Sequence, residues 1–149
     1  MTQVTNIVTP IRLEYRYTPG SAAGRFLRRI ANGEYVGQRC PSCKKVYVPP
    51  RGSCPTCGVP TDEEVELKQT GTITAFCIVN IPFAGQAVEC PYVSATIQLD
   101  GADIGFYHLI QEIPYDQIHV GMRVEAVWKP RDQWGPTTES IAHFKPTDA

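Results

Sequence analysis

The chain has 149 residues, of which 42% are hydrophobic and 19% are charged. This composition is ordinary for a globular protein, and the length suits one domain or a small metal module joined to one. The net charge of −1 excludes a general bias towards nucleic acid, and Asn80 and Pro82 interrupt the longest apolar stretch, residues 75–85, which excludes a membrane-spanning helix there. The first residues lack a basic segment followed by an apolar one, so no signal peptide is visible and a cytoplasmic location is expected.

The charge is unevenly distributed. Residues 1–60 hold nine basic and two acidic side chains, a net charge of +7, whereas residues 61–149 hold five basic and thirteen acidic ones, a net charge of −8. This asymmetry predicts an anionic ligand or an acidic partner for the first part. The alternative is a solvated surface that binds nothing.

Residues 11–17 alternate strictly between apolar and polar side chains, which predicts a strand with one buried face. Residues 21–31 then predict a short helix, with Ser21 as its N-cap and Gly33 just beyond its end. The apolar stripe of this helix must be buried against the metal module or against another protein chain. It consists of Ala23, Phe26, Leu27, Ile30 and Ala31.

Two Cys-x-x-Cys pairs lie ten residues apart, Cys40 with Cys43 and Cys54 with Cys57. Two such pairs at this separation predict a tetrahedral metal site, with each pair on a tight turn and a hairpin between them. Zinc is the expected ion, and iron in a rubredoxin-like site is the alternative. Two disulfides would need an oxidising compartment, for which the sequence gives no sign. Four thiolates leave no open coordination position, so the metal is expected to be structural.

From residue 71 onwards the chain is a series of short strands and turns. Strands are expected at residues 72–79, 92–99, 104–110, 124–129 and 140–145, with a single helical turn at 114–118. Five short strands favour a closed barrel of the OB type over an open sandwich. The chain is therefore expected to be mainly β, with an N-terminal arm and helix at 1–34, a zinc ribbon at 35–67 and an OB-fold barrel at 68–149.

No nucleophile-elbow, Walker or dinucleotide motif is found in the sequence, so no catalytic residue is assigned. His108 is interpreted as a structural histidine rather than a general base, and Cys77 as a small core residue. Cys90 is interpreted as an unreactive free thiol. Trp134 is either a contact for a partner or a lid over an edge of the core, and the sequence does not separate the two.

These stretches together resemble a known family. The resemblance is carried by residues 26–35, by 38–43, by 46–51 with its Pro-Pro-Arg, by 54–58, and in the barrel by 71–73 and 119–125. In that family a short helix, a rubredoxin-like zinc ribbon and an OB-fold barrel are joined in one acyl-CoA-associated protein, formerly a domain of unknown function. The chain departs from the family pattern at Lys44, where a glycine often follows the first pair of cysteines.

The resemblance implies a role as well as a fold. Members of the family are accessory subunits of thiolase-superfamily enzymes, and residues 134–137 and 143–146 resemble the subgroup paired with lipid-transfer-protein-like aldolases in steroid side-chain breakdown. Such a chain would form a hetero-oligomer with its partner and help to shape a channel for a CoA thioester. The residues expected to contact the partner or the CoA phosphates are Arg25, Phe26, Leu27, Arg28, Arg29, Ile30, Lys44, Lys45, Arg51 and Trp134.

Two other functions stay open at this point. A zinc ribbon joined to an OB barrel also occurs in nucleic-acid machinery, but a barrel that binds single strands needs a basic groove, and this half of the chain is acidic. The other alternative is a stand-alone acyl-CoA-binding protein that acts without a partner.

Overall fold

The computed structural model describes residue 6 and residues 13–147. Within these residues the chain forms one α-helix and eight strands, and the last five strands belong to a closed barrel. The elements are α1 Gly20–Ile30, β1 Val36–Arg39, β2 Val46–Tyr47, β3 Glu63–Glu66, β4 Thr70–Val79, β5 Tyr92–Leu99, β6 Gly105–Ile110, β7 Arg123–Trp128 and β8 Ile141–Pro146, with 3₁₀ turns at Tyr115–Gln117, Arg131–Gln133 and Thr138–Ser140.

The ribbon is a three-stranded antiparallel sheet in the order β2-β1-β3. Residues 35–39 and 46–48 were expected to form the short strands of the ribbon, and β1 and β2 lie there. Strand β3 was not predicted, because three of the four residues in its sequence Glu-Glu-Val-Glu are acidic. Its pairing with β1 places Glu63 opposite Arg39, and the two side chains form an ion pair at 3.5 Å. Cross-strand charge pairing therefore accompanies a strand that apolar patterning could not reveal.

The barrel has the order β4-β5-β6-β8-β7, and its closure confirms the OB-type architecture. Each expected strand is present within two residues of its predicted start. Cys77 was predicted to be a core residue, and this is wrong, since it is exposed. A register shift between Ile73 and Ala75 explains the error, because a bulge changes which alternate residues point inwards and turns Cys77 to the outside.

Helix α1 begins one residue earlier than predicted, and Ser21 lies inside it rather than at its N-cap, a position taken by Pro19. The predicted end is correct: the N–H of Gly33 donates to the carbonyl of Ile30 at 2.9 Å, and Gly33 has a φ of +83°. Phe26 and Ile30 are 2% and 0% exposed. The apolar stripe of the helix is therefore buried on its own chain.

The strand predicted at residues 11–17 is absent from the part that the structure describes. Residues 13–19, called the arm below, have no regular secondary structure, and Ile11 and Arg12 lie outside the described residues. Leu13, Tyr15 and Tyr17 are 78%, 75% and 74% exposed. The prediction failed because a period-two pattern shows only that a strand could bury one face. It does not show that the same chain provides a sheet or core to cover that face.

One hydrophobic core connects the helix, the ribbon and the barrel. Phe26 of α1, Val48 of the ribbon and Ile73 of the barrel belong to the same buried cluster. Tyr35 lies between the parts, with its ring edge-on to Phe106 and to Trp128 at centroid distances of 5.6 and 5.8 Å. Within the described residues, no helix is long and apolar enough to cross a membrane.

Candidate metal centre and partner surface

The four cysteines of the ribbon converge on one point. All four sulfur atoms lie within 4.8 Å of one another, and the Sγ atoms of Cys43 and Cys54 are 3.7 Å apart. Tetrahedral zinc with Zn–S bonds of about 2.3 Å places its sulfurs about 3.8 Å apart, so the donor set and its spacing fit zinc. Cys40 and Cys54 are buried, whereas Cys43 and Cys57 are partly exposed.

The two turns that carry these cysteines have the same hydrogen bonds. The N–H of Cys43 donates to the sulfur of Cys40 at 3.4 Å, and the N–H of Cys57 donates to the sulfur of Cys54 at the same distance. The residue after each pair has a positive φ, +65° at Lys44 and +69° at Gly58. Lys44 adopts this conformation without glycine's freedom, and its Nζ donates to the carbonyl of Pro41 at 2.8 Å.

Tyr47 supports the metal site from β2, and sequence reasoning did not identify it. Its hydroxyl lies 3.3 Å from the sulfur of Cys54. This hydrogen bond is the main reason why the pKa of Cys54 is lowered to about 6 and the pKa of Tyr47 is raised to about 12. A hydroxyl that donates to a thiolate favours its charged, metal-binding form. An aromatic residue between the two cysteine pairs was the only sequence signal available.

The basic residues predicted as partner or phosphate contacts fall into two groups. Arg29 forms ion pairs with Glu34 at 2.9 Å and Glu64 at 3.0 Å, and Arg25 pairs with Glu64 at 3.5 Å. Hydrogen bonds to Glu64 and then to Glu34 raise the pKa of Arg29 above its ordinary value. These two arginines join α1 to β3, so much of the charge that suggested an anionic ligand is neutralised within the chain.

Other basic side chains are not neutralised in this way. Among the described residues, no carboxylate forms an ion pair with Arg28, Lys45 or Arg51, and all three are exposed. The Nζ of Lys44 donates to the carbonyl of Pro41, and it forms no ion pair with the residues that the structure describes. The exposed cations left for a ligand are therefore fewer than the sequence suggested.

The predicted apolar contacts need a correction. Phe26 and Ile30 cannot present a surface to a partner, because both are enclosed in the core of this chain, and Leu27 packs partly against the same core. Trp134 packs over an edge of the core, as one of the two alternatives predicts, while its side chain stays partly exposed. Its Nε1 donates to the carbonyl of Lys129 at 2.6 Å, and its ring lies 4.8 Å from that of Trp128.

The ring of Trp134 also explains why residue 33 is a glycine. A Cβ atom added to Gly33 would come within 2.5 Å of the Trp134 ring. The guanidinium of Arg131 lies 4.2 Å from the centre of that ring and donates to the carbonyl of Asn32 at 3.3 Å. The loop after β7 is thus fastened over the end of α1.

Comparison with known proteins assigns the family. The ChsH2 rubredoxin-like zinc ribbon domain matches residues 31–63, and the ChsH2 C-terminal OB-fold domain matches residues 64–129. A DUF35 domain-containing scaffold protein of Methanocaldococcus jannaschii is 34% identical over 96 residues, which are 63% of this chain and 67% of that protein. The chain belongs to the DUF35 family.

Three other proteins extend the comparison. A probable enoyl-CoA hydratase alpha subunit of Thermomonospora curvata is 34% identical over 97 residues, but the chain spans only 30% of its length. A chain of an Ltp2-ChsH2(DUF35) aldolase has a TM-score of 0.66 at 27% identity, covering 88% of this chain and 98% of that one. A DUF35 structure of unknown function from Sulfolobus solfataricus has a TM-score of 0.66 at 19% identity, which shows the shared fold alone.

The three histidines of this DUF35 chain belong to its barrel half, whereas the four clustered cysteines belong to the ribbon. His143 on β8 is 2.7 Å from a carboxylate oxygen of Glu112. His108 on β6 lies between Phe106 and Phe144, at ring distances of 5.9 and 5.6 Å. Burial is the main cause that lowers the pKa of His108, so its imidazole is neutral at pH 7.

Proposed function

We propose that this DUF35 chain is a non-catalytic accessory subunit in a hetero-oligomer with a thiolase-superfamily acyl-CoA enzyme. The partner that we favour is a lipid-transfer-protein-like aldolase that cleaves a steroid side-chain CoA thioester by a retro-aldol reaction. The observation that carries the proposal is the similarity, over 88% of this chain and 98% of the other, to a chain of the Ltp2-ChsH2(DUF35) aldolase. A cytoplasmic location goes with it, because the four metal ligands must stay reduced.

The chemistry of the described residues supports an accessory role. A metal bound by four thiolates has no open position for substrate or water, so it holds the ribbon's shape. In residues 13–147 no serine, threonine or cysteine is hydrogen-bonded to a histidine, so the nucleophile–base pair of a hydrolytic site is absent there. The reacting groups are therefore assigned to the partner.

The arm is the surface that we assign to the partner. Its three apolar side chains, Leu13, Tyr15 and Tyr17, alternate along the chain, and each is about three-quarters exposed. Exposed apolar side chains in such a row are typical of protein–protein contacts. An extended arm placed against the edge of a partner's sheet would present all three on one face. We therefore assign docking on the partner to the arm and not to Phe26 and Ile30, which are buried.

The CoA contact is assigned to three exposed cations that form no ion pair with a carboxylate of the described residues. Arg28, Lys45 and Arg51 lie on α1 and the ribbon, in the basic part of the chain. Phosphate groups bind where exposed cations are not already paired. In this proposal they face the phosphates of a CoA thioester and help to form the channel that leads to the partner's active site.

Co-expression with a tagged lipid-transfer-protein-like aldolase tests the docking. The native chain is expected to co-purify and to support retro-aldol cleavage of a steroid side-chain CoA thioester, and the double variant Tyr15→Asp, Tyr17→Asp is expected to do neither. The matched control is Tyr115→Asp, an exposed tyrosine on the barrel. Co-purification of the double variant at wild-type yield would exclude the arm as the docking element.

The same complex tests the CoA contact. The triple variant Arg28→Glu, Lys45→Glu, Arg51→Glu is expected to raise KM for the thioester with kcat preserved, whereas Lys145→Glu on β8 is the control. If no thiolase-like protein co-purified and the isolated chain were stabilised by CoA esters, a stand-alone carrier would replace this proposal. Salt-sensitive binding of single-stranded RNA would instead favour the nucleic-acid alternative.

A further inference from the structure

A cleft lies in the barrel wall between β6 and β8. These two strands are parallel, and a single pair, Ile110 with Phe144, joins them in register. The N–H of Gln111 adds one hydrogen bond to the carbonyl of Phe144 at 2.9 Å. Before this point the strands separate, and a cavity of about 520 Å³ is lined by Tyr107 of β6 and Ile141 of β8.

Two loops complete the cleft. Val88 contributes from the loop between β4 and β5, and Thr138 from the 3₁₀ turn between β7 and β8. In OB barrels, the two loops in these positions and the face of the second and third strands, here β5 and β6, commonly bind oligonucleotides or oligosaccharides. The position is therefore that of a ligand site, and the volume falls within the usual range of about 300–1,000 Å³ for small-molecule sites.

The charges around this cleft exclude the usual anionic ligand. Lys129 and Glu139 are the two residues among its described lining with a formal charge at pH 7, and they cancel. The half of the chain that contains the barrel has a net charge of −8. A nucleic-acid strand or a group of phosphates needs an excess of cations, and this cleft has none.

The walls of the cleft are mainly apolar. Val88, Leu109 and Ile141 line it, together with Ala142 on β8. Apolar walls with a few well-placed polar groups are the common composition of sites for neutral organic ligands.

His108 is one of the polar residues in the wall of the cleft. Its imidazole is held between Phe106 and Phe144 and lines the cavity. The Nδ1 atom is buried and forms no hydrogen bond within the described residues. Burial lowers the pKa of His108, and the backbone of Thr138 and of Leu109 near the ring offsets only part of that fall. A buried polar atom without a partner needs an explanation, and a partner that comes from outside the chain is one.

We propose that the cleft between β6 and β8 binds a neutral, mostly apolar organic molecule that carries a hydroxyl, carbonyl or amide group at its inner end. The apolar walls take the body of the molecule, and the polar group reaches the imidazole of His108. This site needs neither a partner subunit nor a CoA phosphate, so it goes beyond the accessory role and stands apart from it.

Displacement of Nile red from the full-length, zinc-loaded chain tests the site. The dye is expected to bind saturably, and decanol, below its solubility limit, is expected to displace it. Decanoate has the same chain with a negative charge, and it is expected to be at least about tenfold weaker. Free CoA is expected not to compete. Equal displacement by decanoate or by CoA would overturn the neutral-ligand assignment.

Variants locate the binding within the cleft. Ala142→Trp on β8 and Ser94→Trp on β5 each fill it from a different wall, and either is expected to weaken dye binding at least about tenfold. Thr74→Trp on an exposed position of β4 is the control, and circular dichroism verifies the fold of each variant. Unchanged dye binding in whichever cleft variant remains folded would overturn the site.

His108→Phe tests the polar contact separately from the shape. Phenylalanine keeps a ring between Phe106 and Phe144, so the dye is expected to bind as before. Decanol is then expected to displace the dye no better than decane does, whereas in the native chain it is the stronger competitor. In the native chain, decanol is expected to shift the NMR signals of the His108 ring nitrogens, and decane is not. Equal preference for decanol in the variant and the native chain would remove His108 from the site.

Discussion

The ribbon and the barrel are both small β structures, but different interactions stabilise them. The first two ribbon strands have four and two residues, and Cys40, Cys54 and Tyr47 are the buried residues around the metal site. The first two barrel strands have ten and eight residues, and inward residues such as Ile73 and Ile97 are completely buried. A segment too short to bury much apolar surface depends on a metal and on charge pairs, whereas longer strands depend on packing.

Removal of zinc is expected to have the largest effect and to separate the two regions. Structural zinc contributes about 10–16 kcal/mol to the folding of small zinc modules at neutral pH. With a strong chelator, or in Cys40→Ser, the amides of residues 40–58 should lose protection from hydrogen exchange while those of Tyr92–Leu99 keep theirs. Cys77→Ser, at an exposed cysteine, is the control. Equal loss of protection in both regions would show that the shared core makes them one cooperative unit.

Phe144→Ala is expected to destabilise the barrel and to leave the metal site of the ribbon intact. Phe144 is completely buried in the barrel, and truncation of such a side chain costs about 3–5 kcal/mol. The free energy of unfolding in urea should fall by this amount, while the zinc content stays that of the native chain. The exposed Tyr107→Ala should change stability by less than about 0.5 kcal/mol. Loss of zinc from folded Phe144→Ala would contradict the division between the two regions.

Tyr47→Phe is expected to weaken the metal site without changing the barrel. The variant loses the hydroxyl that lies 3.3 Å from the sulfur of Cys54, and loss of such an outer contact typically lowers metal affinity about 10–100-fold. Competition with a chromophoric chelator measures the affinity, and Tyr115→Phe on the barrel is the control. An unchanged affinity would mean that the backbone N–H groups alone hold the thiolates.

The difference between the ribbon, which depends on a metal and charge pairs, and the barrel, which depends on packing, explains which features could be predicted from the sequence. The metal ligands follow from spacing, because a tight turn fixes where two cysteines three residues apart can point. The barrel strands follow from β-branched and aromatic runs between turn residues. Strand β3 did not follow, since its partners Arg25, Arg29 and Arg39 come from distant parts of the sequence.

Long-range packing accounts for the other differences between the sequence-based predictions and the structure. The stripe on α1 showed that Phe26 and Ile30 would be buried, but the surface that covers them is formed by the folded chain. The bulge that exposes Cys77 depends on the pairing of β4 with β5, which residue patterns within β4 do not encode. The cleft beside His108 depends on the single pair that joins β6 to β8. Local residue patterns thus predicted the secondary-structure elements and the metal ligands. Contacts between distant elements determined which side chains are buried and which are exposed.

Exchange of the residues that follow the two cysteine pairs is expected to have a smaller effect. Lys44→Gly should stabilise the zinc-loaded chain by about 1 kcal/mol, because a positive φ costs lysine more than glycine. The loss of its bond to Pro41 offsets part of this gain. Gly58→Lys should destabilise by a similar amount through the backbone alone, because no atom lies within 4 Å of an added Cβ. Thermal unfolding measures both, and shifts of the same sign would contradict the argument.

The smallest expected effect is the acid sensitivity of an ion pair on the barrel. The guanidinium of Arg123 donates to Asp100 at 2.7 and 2.5 Å, and these hydrogen bonds are the main cause that lowers the pKa of Asp100 to about 2. A carboxyl whose folded pKa lies below its unfolded value of about 3.9 contributes stability above that value and loses it as the pH falls towards the folded pKa. Asp100→Asn should therefore destabilise the chain slightly at about pH 5 and hardly at all near pH 2. Because both side chains are substantially exposed, solvent screens the pair and keeps the difference small. Urea midpoints of the native chain and the variant at both pH values measure it, and a difference that grew on acidification would reverse the assigned sign.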